Sequence, residues 1–258
     1  MKKSDKPVLV IIVPCYNEEE VFPETAKILS GKTSQLISGS VISPKSALLF
    51  IDDGSKDSTW SLIEKYHSEN PLVHGIKLSA NTGHQSALLC GLVSARDYAD
   101  ITVTIDADLQ DDVDAIDKMV ESYFSGSEIV FGVRSSRKTD GFLKRTSALF
   151  FYRLMRFLGA GVVNNHADFR LMGSKAMDAL AEYNGAKVFL RGIVPKLEFK
   201  TDVVYYKRKK RFAGKSKYTV RKMLRLAWHA SLAFAGITRT KHCPEYHIEK
   251  SLFMPEQT

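Results

Sequence analysis

A chain of 258 residues with 44% hydrophobic and 26% charged residues has the composition of a soluble, core-forming protein, with one domain and appendages or at most two small domains. No run reaches the roughly 18–20 apolar residues of a membrane-spanning helix, and the apolar run at residues 8–14 is too short for a signal peptide. We therefore expect a cytoplasmic protein. Its formal net charge at pH 7 is +8.

The positive charge is concentrated in the second half of the chain. Residues 1–133 carry 11 Lys and Arg against 20 Asp and Glu, whereas residues 134–225 carry 23 against 6. The acidic half is suited to holding a metal ion. The basic half is suited to meeting anions, which could be nucleic acid, an anionic membrane surface or a phosphorylated substrate.

Apolar runs rich in β-branched residues predict five strands in the first half of the chain, at residues 8–13, 47–51, 73–78, 101–105 and 129–133. The segments between them predict helices at residues 18–29, 58–67, 85–96 and 113–123. Asn17 is the expected N-cap of the first helix. The polar, Ser-rich residues 31–45 are expected to form a loop.

Strand and helix alternate through residue 133, which predicts an α/β fold with a doubly wound, mostly parallel sheet and helices on both faces. Ligands of such sheets bind outside the carboxyl ends of the strands. A polar cluster follows each predicted strand, at residues 14–18, 52–55, 81–84, 106–110 and 134–138. We expect these five clusters to converge at one edge of the sheet.

Beyond residue 140 the pattern changes. Residues 142–158 and 217–235 predict basic amphipathic helices, residues 174–183 a further helix and residues 203–206 a strand. The chain is thereby divided into a main domain at residues 1–216 and a basic amphipathic helix with a polar tail at residues 217–258.

Asp106 and Asp108 flank one small residue at the end of the fourth predicted strand. Two carboxylates at this spacing can approach one ion, and hard oxygen ligands suit Mg²⁺ or Mn²⁺. The alternative is an acidic loop that caps the next helix. The carboxylates at the neighbouring strand end favour the metal site.

Asp52 directly follows the second predicted strand, where its carboxylate can accept hydrogen bonds from a base edge or a ribose hydroxyl. Taken alone, the segment at residues 52–55 is a common turn sequence. The chain contains neither G-x-G-x-x-G nor G-x-x-x-x-G-K-[ST], so a nucleotide would have to be held without a dinucleotide fingerprint or a P-loop.

Asp168 lies two residues before Arg170, and this pair is compatible with a general base, an orienting carboxylate or a local salt bridge. Farther along, residues 207–211 are five consecutive cations. No nucleic-acid-binding motif accompanies them. Because the predicted helices on either side are basic and amphipathic, anionic lipid or a lipid phosphate is the expected partner, and no nucleic acid is expected.

Six motifs occur in an order that resembles the inverting glycosyltransferases of family 2. Within that family they are similar to the polyprenyl-phosphate branch of dolichol-phosphate mannosyltransferase and the bactoprenol glucosyltransferases. The resemblance covers about residues 8–225. The motifs are Val13-Pro14-Cys15-Tyr16-Asn17-Glu18, Asp52-Asp53-Gly54-Ser55-x-Asp57-x-Thr59, Asn81-x-Gly83-x-x-x-Ala87, Asp106-Ala107-Asp108-Leu109-Gln110, Asp168-Phe169-Arg170-Leu171 and Arg211-x-x-Gly214-x-Ser216-Lys217-Tyr218.

The resemblance implies a GT-A-like catalytic domain over residues 1–216 and a role for each matched position. A nucleotide pocket is implied at Pro14, Tyr16, Glu18 and Asp52. The metal and the donor diphosphate are assigned to Asp106, Asp108 and Gln110. The acceptor phosphate is assigned to Arg134, together with Lys144 and Arg145. The resemblance also implies that Asp168 lies near the reacting centre. It implies that the donor diphosphate or the acceptor phosphate is covered by Arg211, Ser216 and Lys217.

The implied reaction transfers a hexose or N-acetylhexosamine from a UDP-sugar to undecaprenyl phosphate at the cytoplasmic membrane face, with Mg²⁺ or Mn²⁺ as cofactor. Because a phosphate is already ionised, Asp168 would orient groups rather than abstract a proton. One alternative is a family member acting on a sugar hydroxyl, for which Asp168 must be a base. Alternatives of another class are a nucleic-acid-binding protein and a non-catalytic, membrane-associated protein.

The sequence departs from the family after residue 237. Bactoprenol glucosyltransferases usually continue into two membrane-spanning helices, whereas residues 238–258 are a polar tail. We therefore expect peripheral association with the inner face of the membrane through the basic helices. The sequence leaves a homo-oligomer open.

Overall fold

The computed structural model describes residues 6–135, 166–182, 190–209 and 246–253, and it confirms the alternation of strands and helices in the first half of the chain. The strands of this half are β1 (Leu9–Cys15), β2 (Ala47–Asp52), β3 (Val73–Leu78), β4 (Ile101–Thr104) and β5 (Ile129–Arg134). The helices between them are α1 (Phe22–Ser38), α2 (Thr59–Glu69), α3 (His84–Ala95) and α4 (Ala115–Phe124).

Three further strands complete one eight-stranded sheet. They are β6 (His166–Gly173), β7 (Thr201–Tyr206) and β8 (Ile248–Ser251), with the short helices α5 (Ser174–Ala181) and α6 (Leu190–Ile193) between β6 and β7. The strand order is β7-β5-β6-β4-β1-β2-β3-β8. The pairs within β4-β1-β2-β3 and the pair β5-β7 are parallel, whereas β6 and β8 run antiparallel to their neighbours. The prediction of a mostly parallel sheet is confirmed.

Hydrophobic cores cover both faces of the sheet, as the doubly wound prediction requires. Alternate residues of each buried strand point to opposite faces. On one face Ile11 and Phe50 pack with residues of α1, α2 and α4. On the other face Ile12 and Ile51 pack with residues of α3 and α5. Strands β1 to β5 are mostly apolar, as expected for strands that are buried on both faces.

The direction of the strands brings the predicted polar clusters to one edge. Strands β1 to β5 and β7 all end at this edge, because β5 is antiparallel to β6 and β6 is antiparallel to β4. The first residues of β6 lie at the same edge, since Arg170 pairs with Thr104 near the end of β4. The amino-terminal part of β6 therefore brings Asp168 to the edge where the predicted metal site lies.

Helix α1 differs from its prediction at both ends. It begins at Phe22 with Val21 as N-cap, so the prediction that Asn17 caps it is wrong. It continues to Ser38, so the prediction of a loop at residues 31–45 is wrong for residues 31–38. The added residues 31–38 are mostly polar, but Lys32, Thr33 and Leu36 among them are buried. Lys32 is buried and pairs with Asp114 at 2.7 Å and with Asp117 at 2.8 Å, which fastens α1 to the start of α4.

Strands β6 and β8 have no counterpart among the sequence predictions. Strand β6 carries the charged residues Asp168 and Arg170 in its buried positions, so it lacks the apolar pattern from which the other strands were predicted. Strand β8 is exposed along its length and lies in the segment predicted as a polar tail. Only its pairing with β3 makes it a strand, which a local pattern does not show.

The predicted helices at residues 142–158 and 217–235 lie outside the described residues, as do Lys144, Arg145, Arg211, Ser216 and Lys217. In the part of the chain that the structure describes, no helix combines the length and apolar character needed to cross a membrane. The division of the chain at residue 216 stays a prediction.

Candidate active site

The loops that follow β1 and β2 are joined by hydrogen bonds between motif residues. The backbone N–H of Asn17 donates to Ser55 Oγ at 2.9 Å, and that of Glu18 donates to Thr59 Oγ1 at 2.9 Å. Thr59 Oγ1 in turn donates to Asp57 Oδ1 at 2.6 Å. Asn17 has φ 51°, a conformation that asparagine tolerates better than most residues. These motif residues fix the shape of the loop edge.

Asp53 holds the turn that precedes α3. Its buried carboxylate accepts hydrogen bonds from the backbone N–H of Thr82 at 2.7 Å, from that of Gly83 at 2.9 Å, and from Asn81 Nδ2 at 3.0 Å. Gly83 has φ 96°, which is accessible to glycine and strained for other residues. The ends of β2 and β3 are therefore rigidly connected.

Asp52 is fully buried beside the end of β1, and burial raises the pKa of its carboxyl. Its Oδ1 accepts the backbone N–H of Ser55 at 3.1 Å, whereas its Oδ2 has no hydrogen-bond partner among the described residues. Pro14 is buried in β1, and Tyr16 and Glu18 are half-buried just beyond it. The structure thus brings together the four residues predicted to line the nucleotide pocket.

The segment after β4 is held in a specific backbone conformation. Thr25 Oγ1, from α1, donates to the carbonyl of Ala107 at 2.7 Å. Leu109 has φ 55°, an unfavourable value for a branched side chain that the surroundings must stabilise. This turn lets the backbone N–H of Gln110 donate to Asp108 Oδ1 at 3.1 Å. The local strain lies where the sequence predicts the metal site.

Asp106 stands at the centre of a group of acidic side chains, with 37% of its own side chain exposed. Burial, with added repulsion from Asp111, Asp168 and Asp108, raises the pKa of Asp106 to about 6, although the charge of His84 opposes the shift. A carboxylate destabilised in this way gains from a bound cation. Among the described residues, however, no three His, Cys, Asp or Glu side chains are placed to bind one ion together.

The side chain of Gln110 contacts the basic segment that follows β7. Its Oε1 accepts a hydrogen bond from Arg208 Nη2, and its backbone carbonyl accepts the N–H of Lys209 at 2.8 Å. Lys209 Nζ also lies 2.9 Å from Asp112 Oδ1. The predicted role of Gln110 as a metal ligand stays a prediction, since this contact occupies its amide oxygen.

Arg134 ends β5 and joins a second buried group. Its Nη2 lies 3.3 Å from Asp111 Oδ1, and its Nε donates to the hydroxyl of Tyr206 at 3.3 Å. The Tyr206 hydroxyl donates to the same Asp111 oxygen at 2.5 Å, and burial raises the pKa of Tyr206 so that it stays protonated. Arg134 is thus half-buried at the predicted edge, with part of its charge already compensated by Asp111.

Asp168 is the most heavily hydrogen-bonded carboxylate of this edge. Its side chain is 4% exposed and pairs with Arg170 Nη2 at 2.7 Å. Arg191 donates to both of its oxygens, from Nε at 3.1 Å and from Nη2 at 2.9 Å. Its Oδ2 also accepts hydrogen bonds from Gln85 Nε2 at 3.1 Å and His84 Nε2 at 3.2 Å. Five donors therefore converge on one buried carboxylate.

These partners control the charge of Asp168. Burial alone would raise its pKa, but Arg191, His84 and Arg170 together hold the pKa of Asp168 well below its ordinary value. The carboxylate is thus a weak proton acceptor. Its backbone is also fixed, because Thr104 Oγ1 donates to the carbonyl of Asp168.

His84 connects this group to the predicted metal site. Its Nε2 lies 3.2 Å from Asp168 Oδ2 and 3.6 Å from Asp106 Oδ1. Burial acts to lower the pKa of His84, but the hydrogen bond to Asp168 and the charge of Asp106 raise it above its ordinary value. The two carboxylates therefore stabilise the cationic form of the imidazole.

Five residues of this site have no role that sequence patterns assign: His84, Gln85, Asp111, Arg191 and Tyr206. Three of them carry a local signal, because His84 belongs to a polar strand end and Gln85 and Asp111 each lie within one residue of such an end. Arg191 gave none, since it belongs to a short helix far from any predicted strand end.

Comparison with known proteins first identifies a family. Residues 10–180 match the model of glycosyl transferase family 2. The chain is 52% identical over 242 residues to the "uncharacterized glycosyltransferase YkoT" of Bacillus subtilis strain 168, covering 94% of this chain and 70% of that protein. It is 34% identical over 226 residues to the "prophage bactoprenol glucosyl transferase homolog" of Escherichia coli K12, covering 87% and 71%.

Solved structures share the fold at low sequence identity. A mannosyltransferase of Pyrobaculum calidifontis in complex with GDP-Man and Mn²⁺ superposes with a TM-score of 0.60 at 17% identity, over 90% of this chain and 66% of that one. Glucosyl-3-phosphoglycerate synthase of Mycobacterium tuberculosis, in complex with Mn²⁺, UDP and phosphoglyceric acid, superposes with a TM-score of 0.56 at 16% identity, over 88% and 78%. These similarities confirm the GT-A-like fold.

Proposed function

This chain belongs to glycosyl transferase family 2, and from that premise we propose that it transfers a hexose or N-acetylhexosamine from a UDP-sugar to a polyprenyl phosphate. The transfer takes place at the inner face of the cell membrane and inverts the anomeric carbon. The relatives named as bactoprenol glucosyl transferases, at 34% identity over 87% of the chain, support this acceptor class.

The choice of a phosphate as acceptor rests on the burial, the hydrogen bonds and the lowered pKa of Asp168. A sugar hydroxyl must lose a proton when it attacks, so its transferase needs a base with an accessible, basic lone pair. Asp168 is buried, accepts five hydrogen bonds and has a pKa well below its ordinary value. A phosphate monoester is largely ionised at neutral pH and needs no base. This contrast favours the phosphate acceptor over the hydroxyl acceptor.

The reaction then needs little proton transfer. An oxygen of the acceptor phosphate attacks the anomeric carbon of the donor sugar. The bond from that carbon to the diphosphate breaks, and its electron pair leaves with UDP. The chain contributes positioning and charge rather than covalent chemistry.

Asp106 and Asp108 would hold a divalent cation at the end of β4. The fit rests on Asp106, whose acidic neighbours make a bound cation favourable, and on the fixed backbone at Ala107 and Leu109. Two carboxylates suit Mg²⁺ or Mn²⁺ when diphosphate oxygens complete the coordination. Bound there, the metal would neutralise the charge that develops on the leaving diphosphate. Gln110 would join this site once its amide leaves Arg208.

The nucleotide would lie against the end of β1, where Pro14, Tyr16 and Glu18 stand beside Asp52. The unpartnered Oδ2 of Asp52 is the acceptor for a base or ribose donor. Because Asp52 is fully buried, the residues that cover it must move for this contact. The phosphate groups of the two substrates would be bound by Arg134, Arg211, Ser216 and Lys217.

The test measures nucleoside diphosphate released from a panel of UDP- and GDP-sugars with Mn²⁺, in the presence and absence of polyprenyl phosphate. We expect release from one donor that depends on the lipid. Asp108→Asn should lower the rate by about 100-fold or more, as the loss of one charge-stabilising group does elsewhere. Asp97→Asn changes an exposed carboxylate just beyond the carboxyl end of α3; it is the control and should leave the rate unchanged. Absence of release with every donor and acceptor would overturn the proposal.

A further inference from the structure

The hydroxyl of Tyr206 lies between a buried carboxylate and an arginine at the carboxyl edge of the sheet. Tyr206 ends β7 and is the register partner of Arg134, which ends β5. The Tyr206 hydroxyl donates to Asp111 Oδ1 at 2.5 Å and accepts a hydrogen bond from Arg134 Nε at 3.3 Å. Arg134 Nη2 lies 3.3 Å from the same Asp111 oxygen. Two donors therefore compete for one oxygen of Asp111.

The distances show that Tyr206 is the stronger partner of Asp111. A hydroxyl that donates to a carboxylate usually lies about 2.5–2.7 Å away, and a charged N–H about 2.7–2.9 Å. The contact of Tyr206 falls within the first range, whereas the contact of Arg134 is longer than the second. At Asp168, by contrast, an arginine nitrogen lies 2.7 Å from the carboxylate. Asp111 is therefore bound mainly by a neutral donor, and its ion pair with Arg134 is loose.

The ring of Tyr206 is held by contacts that do not involve its hydroxyl. Tyr206 is buried, and its ring packs edge-on against Phe169 at 5.3 Å between ring centroids. Its carbonyl accepts hydrogen bonds from the backbone N–H of Ser135 at 2.9 Å and from Ser135 Oγ at 3.0 Å. These contacts fix the ring before a ligand binds. Removal of the hydroxyl alone should therefore leave the ring in place.

The guanidinium of Arg134 has a nitrogen left for a ligand. Nε and Nη2 make the two long contacts, and among the described residues Nη1 makes no hydrogen bond. The side chain is 26% exposed. Burial acts to lower the pKa of Arg134, but Asp111, Tyr206 and the charge of Asp106 raise it. Arg134 is therefore a partly exposed cation within electrostatic reach of the predicted metal site.

We propose that Tyr206 is a positioning residue whose hydroxyl satisfies Asp111 and thereby keeps Arg134 available for a substrate phosphate. Without the hydroxyl, the buried carboxylate needs another donor, and Arg134 is the cation already beside it. A tight ion pair with Asp111 would then compete with the phosphate for the same guanidinium. The inference rests on the proposed function, which assigns Arg134 to phosphate. The same chemistry fits the acceptor phosphate and the donor diphosphate, and the experiment distinguishes them.

The test compares Tyr206→Phe with the parent chain in lipid-dependent release of nucleoside diphosphate at saturating Mn²⁺. The sugar donor and polyprenyl phosphate are varied in turn. We expect one of the two KM values to rise about tenfold, as the loss of a hydrogen bond to a charged group does. The other KM and kcat should stay within about twofold. A rise for polyprenyl phosphate assigns Arg134 to the acceptor, and a rise for the donor assigns it to the diphosphate.

Tyr205→Phe is the matched control, because it removes the hydroxyl of the neighbouring tyrosine, which is 67% exposed. Both of its KM values should equal those of the parent chain. Unchanged KM values for Tyr206→Phe, equal rises in both, or a fall in kcat alone would overturn the inference. A parent chain without lipid-dependent release instead overturns the proposed function itself.

A second background separates positioning from a structural effect. Asp111→Asn removes the charge that attracts Arg134, so in that background Tyr206→Phe should raise the same KM by no more than about twofold. An equal rise in both backgrounds would assign Tyr206 a structural role and overturn the inference. If Asp111→Asn does not fold, the Arg134→Gln background decides. There Tyr206→Phe should add no further rise, and a further rise of about tenfold would overturn the inference.

Discussion

At the scale of single residues, two carboxylates of this site experience opposite surroundings. Asp168 is nearly inaccessible but is surrounded by donors and cations, which hold its pKa well below the ordinary value. For Asp106, burial and the other carboxyls beside it raise the pKa to about 6, although 37% of its side chain is exposed. The first environment stabilises a permanent anion, whereas the second favours an anion only when a cation arrives. Burial acts to raise the pKa of both carboxyls, and only at Asp168 do the neighbouring cations and donors reverse its effect.

Replacing Asp168 with Asn should destabilise the fold strongly. The substitution leaves Arg170 and Arg191 without their counter-charge, and removing one partner of a buried pair costs about 3–5 kcal/mol. A group with a depressed folded pKa contributes stability above its unfolded pKa and loses it as the pH falls through the folded value. The difference in unfolding free energy should therefore grow somewhat as the pH falls from about 8 to 5, because Asp168 stabilises the cationic form of His84, and should shrink only below about pH 4.

Urea unfolding of both chains across this pH range measures the difference. Asp178→Asn, which changes a carboxylate with 67% exposure on α5, should cost little at any pH and serves as the control. A difference that declined between pH 8 and 5 would mean that Asp168 titrates there, and would restore it as a candidate base.

Replacing Asp106 with Asn should stabilise the metal-free protein at neutral pH. A carboxyl whose folded pKa of about 6 lies above its unfolded value of 3.8 destabilises the fold once it ionises. That penalty grows between these two values and is complete above pH 6 to 7. Because 37% of the side chain is exposed, solvent screening limits the gain to about 1 kcal/mol.

Chemical unfolding with EDTA at pH 7.5 and at pH 4 tests this sign, with Asp97→Asn as the exposed control. The gain from Asp106→Asn should be present at pH 7.5 and absent at pH 4, while the same variant loses transfer activity. Equal stability of variant and parent at pH 7.5 would show that the acidic neighbours do not strain Asp106. A gain would show that the site trades stability for metal binding.

At the scale of elements, β8 closes the edge of the sheet beside β3. Ser79 N–H donates to the carbonyl of His247 at 2.9 Å, and Leu252 N–H donates to that of Gly75 at 2.7 Å. An ion pair joins Lys77 of β3 to Glu249 of β8 at 3.0 Å. An unpaired edge strand is a site for unwanted pairing with other chains, so β8 protects β3. The same pairing attaches residues 246–253 to the sheet.

The attachment of residues 246–253 to the domain depends on Phe253, which is the large apolar residue of this segment that is buried, with 7% exposure. Its ring packs edge-on against His74 at 5.5 Å and Tyr98 at 5.4 Å between ring centroids. Phe253→Ala should cost about 3 kcal/mol, the usual loss for a buried phenylalanine. Ile248→Ala in the same segment, at 47% exposure, should stay within about 0.5 kcal/mol. Thermal unfolding of both variants measures the contrast, and equal losses would mean that the strand pairing alone anchors the segment.

At the scale of the whole molecule, the acidic and basic halves of the chain meet at one edge. The acidic cluster at the end of β4 comes from the first half, and the exposed cations after β7, Lys207 to Lys209, come from the second. The sheet order places β7 at one end and parallel to β5, so these cations lie at the carboxyl edge beside Gln110. A negatively charged membrane surface would be drawn to the side of the molecule where the proposed acceptor enters.

We therefore expect binding to vesicles that contain anionic lipid at low ionic strength and release at high salt, because screening shortens the electrostatic range to ~3 Å at 1 M. Replacing Lys207 and Arg208 with Gln should weaken binding about 30-fold, since each cation near the surface contributes about 1 kcal/mol and the two together about 2 kcal/mol. Replacing the exposed Lys118 and Lys175, which lie elsewhere, is the control. Sedimentation with neutral and anionic vesicles reports the result, and equal binding to both would argue against an electrostatic contact.

Local patterns in the sequence predicted much of this fold. Each apolar run predicted a strand within two residues of its observed bounds, because buried strands must be apolar on both faces. The alternation with helices predicted the parallel sheet and hence a common edge for the polar strand ends. The polar, Ser-rich stretch at residues 31–45 misled the prediction, since burial of Lys32 with two aspartates is invisible without the neighbouring helix.

Local sequence was enough to predict which acidic residues lie at the ends of the strands, because a short motif and the strand before it are adjacent along the chain. The contacts that those residues make depend on the tertiary structure. Asp168 is joined to His84 and to Arg191 across 84 and 23 residues of chain. These contacts exist because β6 inserts antiparallel between β4 and β5. The order of strands in the sheet depends on packing between segments that are far apart in the chain, so the position of β6 is not visible in any local sequence pattern.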